Sequence, residues 1–211
     1  MRYNLSEEDL RDLNGRPSGS RLFPVPVQIE NLGLEKLLDK LKGKRILDIG
    51  CGDKPKLVYY LHSLGIEADG IDSEVKIMAP FLMLQTVNSS NTIPKPNEYY
   101  DLVVAHSVSP LRIGFTTLRY KEKFDFSIEV AQEEAVAIIH EAMRVLKRAG
   151  RFVVWPSLDL IEEAAPLLSD YEIKHENLPE EKNRARREEF ARRELWVPPC
   201  LEKRTVFSYK Q

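Results

Sequence analysis

The segment RILDIGCGD, Arg45 to Asp53, carries the sharpest chemical signal in the chain. An apolar run ends at Asp48, and Gly50 and Gly52 follow at once. Glycines at such a point let the backbone turn tightly and approach a ligand closely. In an open α/β sheet, ligands sit at the carboxyl ends of strands, near the switch point. The residues that follow set two ligand classes aside. A nicotinamide dinucleotide turn reads G-x-G-x-x-G, and Pro55 occupies the place of its third glycine. A P-loop needs Gly-Lys followed by Ser or Thr, which is missing after this turn. The second signal is Asp72, in DGIDSE. A carboxylate at a strand end can accept hydrogen bonds from both hydroxyls of a ribose. It can also cap the helix that follows. Taken alone the cap is the commoner role; one helix and one strand beyond the glycine turn, the ribose reading is favoured.

The elements that position these residues follow from periodicity. Leu34, Leu37, Leu38 and Leu41 have helical spacing up to Gly43, and Arg45 to Ile49 reads as a strand. Leu57, Leu61 and Leu64 mark a helix stopped by Gly65, with Pro55 suited to its first turn. Ile66 to Ile71 is a strand with Asp72 at its end. Val75 to Leu84 reads as a short helix and then a short strand up to Val87. Leu102 to Ala105 is a buried strand. Ala135, Ile138, Ile139, Ala142, Val145 and Leu146 define a helix, with Lys147 and Arg148 complementing its dipole and Gly150 capping it. Arg151 to Trp155 is a strand, Leu160 to Leu168 a helix, and Tyr171 to His175 and Thr205 to Tyr209 the last strands. Strands alternating with helices predict an α/β fold: a doubly wound, mostly parallel seven-stranded sheet, helices on both faces, and an antiparallel edge strand from the final pair. Residues 1–30 read as an N-terminal arm, helical from Ser6 to Leu13 and held extended at Pro24 and Pro26. Residues 31–211 form the domain.

Composition narrows the function. The 211 residues are 43% apolar and 30% charged, with 31 Lys and Arg against 33 Asp and Glu. A net charge of -2 gives no global pull toward nucleic acid or acidic membranes. Cys51 and Cys200 do not make a disulfide framework. Met1 to Leu22 lacks the apolar stretch of a signal peptide, and no run is long and apolar enough to span a bilayer. These features predict a reducing, cytoplasmic setting. No cluster of His, Cys, Asp and Glu has metal-ligand spacing, so no metal is expected.

Four blocks in order resemble one family. RILDIGCGD resembles the motif V-L-D-x-G-C-G-x-G of class I S-adenosylmethionine-dependent methyltransferases, and GIDSE their acidic second motif. IPKPNEYYDLVVAHSV resembles the stretch that ends on their fourth strand. HEAMRVLKRAGRFVV resembles their following helix and fifth strand. The set runs from Arg45 to Val154, about half the chain, and is similar to methyltransferases of type 11. The resemblance implies S-adenosyl-L-methionine as cofactor. It would place Asp48, Gly50, Cys51 and Gly52 at the methionine end, and Asp72 with Ser73 at the ribose. Asn88 and Ser89 would fall at the adenine, and His106 would face the sulfonium and the acceptor. Lys54 departs from the motif's third glycine, Asn88 from an acidic residue, and Arg148 with Ala149 from Pro-Gly.

Methyl transfer from a sulfonium is a direct displacement, and the protein supplies orientation and a water-excluded site. A base is needed only where the nucleophile must lose a proton. His106 is the candidate for that work; a histidine satisfied by backbone at a strand end is the equal alternative. His62 and His140 fall on helices as packing or surface residues. The long connection 110–126 reads as a lid, and 179–196 as a charged, salt-bridged helical insertion. No N-P-P-Y-like tetrapeptide follows the fourth strand, which by resemblance lowers the odds of DNA base methylation. The expected partner is a methyl acceptor, a small molecule before protein or RNA, with no membrane association. The competing reading is a cofactor-fold protein without activity that serves as a binding or scaffold partner.

Overall fold

Alternate residues of the central strands face opposite sides of one sheet, and each side is apolar. Ile46, Leu102, Val104, Val153 and Val206 pack on one side; Leu47, Ile49, Val103, Ala105, Phe152, Val154 and Phe207 pack on the other. Strands buried on both faces read as continuous apolar runs, which is how LVVA and FVVW appear in the sequence. The structure is a computed structural model, and it describes residues 24–73, 75, 79–87, 90–108, 111, 128–155, 165–181, 183 and 202–210. Most of 1–30, of 110–126 and of 179–196 therefore lies outside the described residues.

The strands are β1 (Arg45–Ile49), β2 (Glu67–Asp72), β3 (Leu82–Leu84), β4 (Tyr100–His106), β5 (Leu146–Trp155), β6 (Tyr171–Asn177) and β7 (Lys203–Tyr209). They form a seven-stranded sheet in the order β3-β2-β1-β4-β5-β7-β6. β1 to β5 pair in parallel, and β7 runs antiparallel to both β5 and β6. The expected fold is thus present: a doubly wound, mostly parallel α/β sheet, its antiparallel pairing made by the last two strands. The switch point falls between β1 and β4, at the glycine turn.

The helices are α1 (Val25–Asn31), α2 (Lys56–Ser63) and α3 (Ile128–Val145). Hydrophobic residues of α1 and α2 join the Ile46 side of the sheet, and those of α3 join the Leu47 side. No helix among the described residues is long and apolar enough to cross a membrane.

Four local expectations need correction. The segment at Pro24 and Pro26 is helix, not extended chain: proline fits the first turn, where the N–H it lacks would have no intrahelical partner. Leu38–Leu41 is one 3-10 turn in place of a longer helix. The helix at Leu160 to Leu168 is seen only as a 3-10 turn at Ala165–Leu168, its earlier part lying outside the described residues. Gly150 does not cap α3. That helix gives way to β5 directly at Leu146, and Gly150 lies within the strand. A Cβ on Gly150 would sit 2.8 Å from the Asp101 carbonyl oxygen, so close strand packing explains the glycine.

A polar clamp ties the connection before β4 to α3. Arg144 donates to the carbonyls of Ile93 and Lys95 and to Asn97, and Glu141 accepts from Arg144 and from the Ile93 N–H. Burial opposes ionisation of Glu141, but those donors outweigh it and hold the carboxyl below its usual range. At the opposite end of the sheet from the glycine turn, Tyr100 donates to Asp69 at 2.6 Å. Burial and that bond hold the Tyr100 phenol far above its usual value.

Candidate functional site

The register of β2, β1 and β4 brings three predicted residues to one side of the sheet. Asp48 pairs with Gly70 on one flank and Val104 on the other. Asp72 lies two residues beyond Gly70, and His106 two beyond Val104, so all three share the side covered by α1 and α2. All three stand at carboxyl strand ends, next to the switch point.

The turn after β1 is built on two left-handed glycines, Gly50 at φ +70° and Gly52 at φ +77°. Its first amides go to the neighbouring strand: Gly50 N–H donates to the Ile71 carbonyl at 2.8 Å. Gly52 N–H donates instead to Asp72 Oδ2, also at 2.8 Å. A carboxylate has room for several donors, so this bond uses part of the capacity of Asp72 and orients the rest. Asp72 is half-buried and reaches solvent at the strand end. Asp48 is wholly buried behind the turn. Ser73 follows Asp72 in a turn and is exposed.

The side chain of Cys51 is buried, with Sγ 2.9 Å from where a Cβ on Gly70 would lie. What Cys51 could offer a ligand is therefore main chain. Asn88 and Ser89 lie outside the described residues.

His106 is 2% exposed, and its ring is gripped from two sides. Trp155, its register partner on β5, stacks on it with centroids 4.7 Å apart and an interplanar angle of 23°. Asn31, the last residue of α1, approaches with Nδ2 3.0 Å from His106 Nε2. Beyond His106 the chain turns sharply. Ser107 has φ +59°, a left-handed conformation uncommon outside glycine, and such strain clusters at functional sites. Its N–H donates to the Trp155 carbonyl at 2.7 Å, which fixes the turn. Val108 then lies over Gly50; a Cβ on that glycine would be 2.6 Å from Val108 Cγ2. Thus β4 leads straight back onto the glycine turn.

Sequence reasoning missed Asn31, Trp155, Ser107 and Val108. Gln28 and Asn31, three residues apart on α1, are fully buried beside Val25, Ile29 and Leu32, but in the sequence they read as ordinary polar residues and gave no signal. The other two histidines on helices are accounted for: His62 bonds the Ala68 carbonyl at 2.8 Å and packs on Phe81, and His140 meets the Tyr171 hydroxyl at 2.9 Å.

No family model matches the chain, and no curated protein matches it. Solved structures do align with it. A methyltransferase dependent on S-adenosylmethionine from Aquifex aeolicus is 14% identical, with a TM-score of 0.45 over 97% of this chain and 98% of that one. One from Mesorhizobium loti is 14% identical, with a TM-score of 0.47 over 84% and 96%. The cyclase SpnF is 16% identical, with a TM-score of 0.45 over 92% and 83%. These are likenesses of fold.

Proposed function

We propose that the chain transfers a methyl group from S-adenosyl-L-methionine to a small-molecule acceptor. The observation that carries the reading is the junction of Asp72 with the glycine turn. A carboxylate suited to a ribose diol is braced by the N–H of the residue whose turn would receive the rest of the nucleoside. The residues fit that group chemically: a half-buried acceptor at the end of β2, two left-handed glycines, and main chain packed too closely at Gly50 for a side chain. Asp72 and Ser73 would hold the ribose, and Asp48, Gly50, Cys51 and Gly52 the methionine end, with Asn88 and Ser89 toward the adenine. When bound, the cofactor supplies an electrophilic methyl group on a sulfonium. The work left to the chain is to orient the acceptor and keep water out. His106, on the same side as Asp48 and one strand away, would mark the acceptor end. The near-balanced charge of the chain supports a small acceptor over a nucleic acid.

A binding protein of this fold without activity is the second reading, favoured by Lys54 at the motif's third-glycine position. Calorimetric titration with S-adenosylmethionine and its demethylated product tests cofactor binding. Release of the demethylated product across a panel of hydroxyl, amine and thiol acceptors then separates the two readings. No binding at millimolar concentration removes the first reading and leaves the second; binding without turnover on any acceptor also supports the second.

A further inference from the structure

We infer that Arg204 is a positioning residue for the His106 end of the site: its guanidinium clasps Gly33 and so holds α1 over the end of β4. Gly33 follows α1 with a left-handed φ of +69°. A Cβ there would have Nη1, Cζ and Nη2 of Arg204 as its three nearest atoms, with Nη2 at 2.6 Å. Three guanidinium atoms that close to one point lay the flat group against the glycine, which alone leaves it room. Arg204 reaches this place from β7, where it shares with Val206 the side of the sheet that α1 covers. Glu176, opposite it on β6, fixes its direction. Arg204 Nε donates to Glu176 Oε2 at 2.7 Å, and Nη2 lies 2.6 Å from the same oxygen. The Arg204 side chain is 19% exposed, so the pair is largely sheltered from water. The β6–β7 hairpin thus grips the chain just past α1.

α1 needs such a grip. It has 7 residues and no side-chain hydrogen bond at its N-cap, and a helix this short does not hold by itself. Its last turn closes through the N–H groups of Leu32, Gly33 and Leu34, which donate to the carbonyls of Gln28, Glu30 and Ile29. A cation at that end also complements the helix dipole. The same turn carries Asn31, whose side-chain amide is 3.0 Å from His106 Nε2, a contact that either end of an amide can make with an imidazole. A shift of α1 therefore moves a group that touches His106. Asp72 stands two strands away, at the end of β2. The use of the clasp in placing an acceptor rests on the function proposed above; the clasp itself does not.

Amide hydrogen exchange and long-range proton–nitrogen spectra of the nitrogen-15-labelled full chain test the clasp without cofactor or acceptor. His106→Gln identifies the His106 ring signals among the four histidines. Arg204→Ala should speed exchange at Leu32, Gly33 and Leu34 by about tenfold relative to Leu47 and Val103 in the central strands, the equivalent of about 1.4 kcal/mol of local opening. It should also move the His106 ring signals. Arg204→Lys keeps a charge beside Glu176 but not the flat group, and it should loosen the same amides. Exchange raised equally at all five amides, or His106 ring signals unmoved in folded Arg204→Ala, overturns the inference. So does an Arg204→Lys chain that matches the parent, and that variant decides alone if Arg204→Ala fails to fold. A chain that binds no S-adenosylmethionine leaves these results standing, and a failed clasp leaves the proposed function standing.

Discussion

The carboxylate of Asp72 accepts the backbone N–H of Gly52 at 2.8 Å, so the acidic end of β2 and the glycine turn after β1 are one structure before any ligand arrives. Removing the carboxylate should therefore have two effects. Asp72→Ala should weaken S-adenosylmethionine binding by roughly 1.5–3 kcal/mol, the range for hydrogen bonds to a charged group. It should also lower the stability of the unliganded chain by about 1 kcal/mol, because Gly52 loses its acceptor. Titration calorimetry and urea unfolding measure the two separately. An unchanged affinity with lowered stability would reduce Asp72 to a brace for the turn.

Gly50 combines a left-handed φ with a crowded side. Gly50→Ala should cost about 1–2 kcal/mol for the conformation alone. The contact with Val108 should add to that, and Val108→Ala should relieve only the added part. Urea midpoints of the two single variants and the double variant give the partition. If Gly50→Ala unfolds at the parent's midpoint, the turn is not as tight as its geometry indicates.

The clamp between α3 and the chain before β4 makes a pH-dependent contribution. Donors from Arg144 and Ile93 hold the Glu141 carboxyl below its usual range despite burial. A carboxylate with a lowered folded-state value binds protons less readily in the folded chain than in the unfolded one. Its contribution is then full above the unfolded value and is lost as pH falls through the folded one. Glu141→Gln should destabilise by about 1–3 kcal/mol at neutral pH. The difference from the parent should shrink below about pH 4. A difference that stays constant from pH 7 to pH 3 would show that charge plays no part in the clamp.

Binding to the folded state should raise the melting temperature. At a hundredfold excess over the dissociation constant the added stability is about 2.7 kcal/mol. S-adenosylmethionine and its demethylated product should both give it, whereas NAD and ATP should not, since Pro55 and the missing Gly-Lys pair remove the features those ligands use. A shift with NAD of the same size would reassign the glycine turn.

The strand-turn-helix at Asp48 to Pro55 was legible in the sequence because each step has its own local cause: an apolar run, glycines where the chain must bend, and proline at a helix start. The sheet was legible for the same reason, as runs buried on both faces. α1 was not. Its prolines serve equally in extended chain and in a helix's first turn, and Gln28 and Asn31 interrupt the apolar period of its buried side. The surroundings of His106 were hidden by distance. Its amide partner is 75 residues away in sequence, and its aromatic partner arrives only through the register of β4 with β5. The break from α3 into β5 was misplaced because Gly150 has the residue type of a helix cap, while its use is a close approach to Asp101.

The final strand lies inside the sheet and not at its border: β7 sits between β5 and β6, and its Tyr209 hydroxyl also donates to the Met143 carbonyl near the end of α3. During synthesis β6 thus emerges before β7, the one strand it pairs with among the described residues. Until residues 203–209 leave the ribosome, both β6 and the outer edge of β5 present unpaired backbone to the cell. A stop codon just before residue 203 would remove one strand from the gene and two from the sheet, and it would leave the outer edge of β5 unpaired.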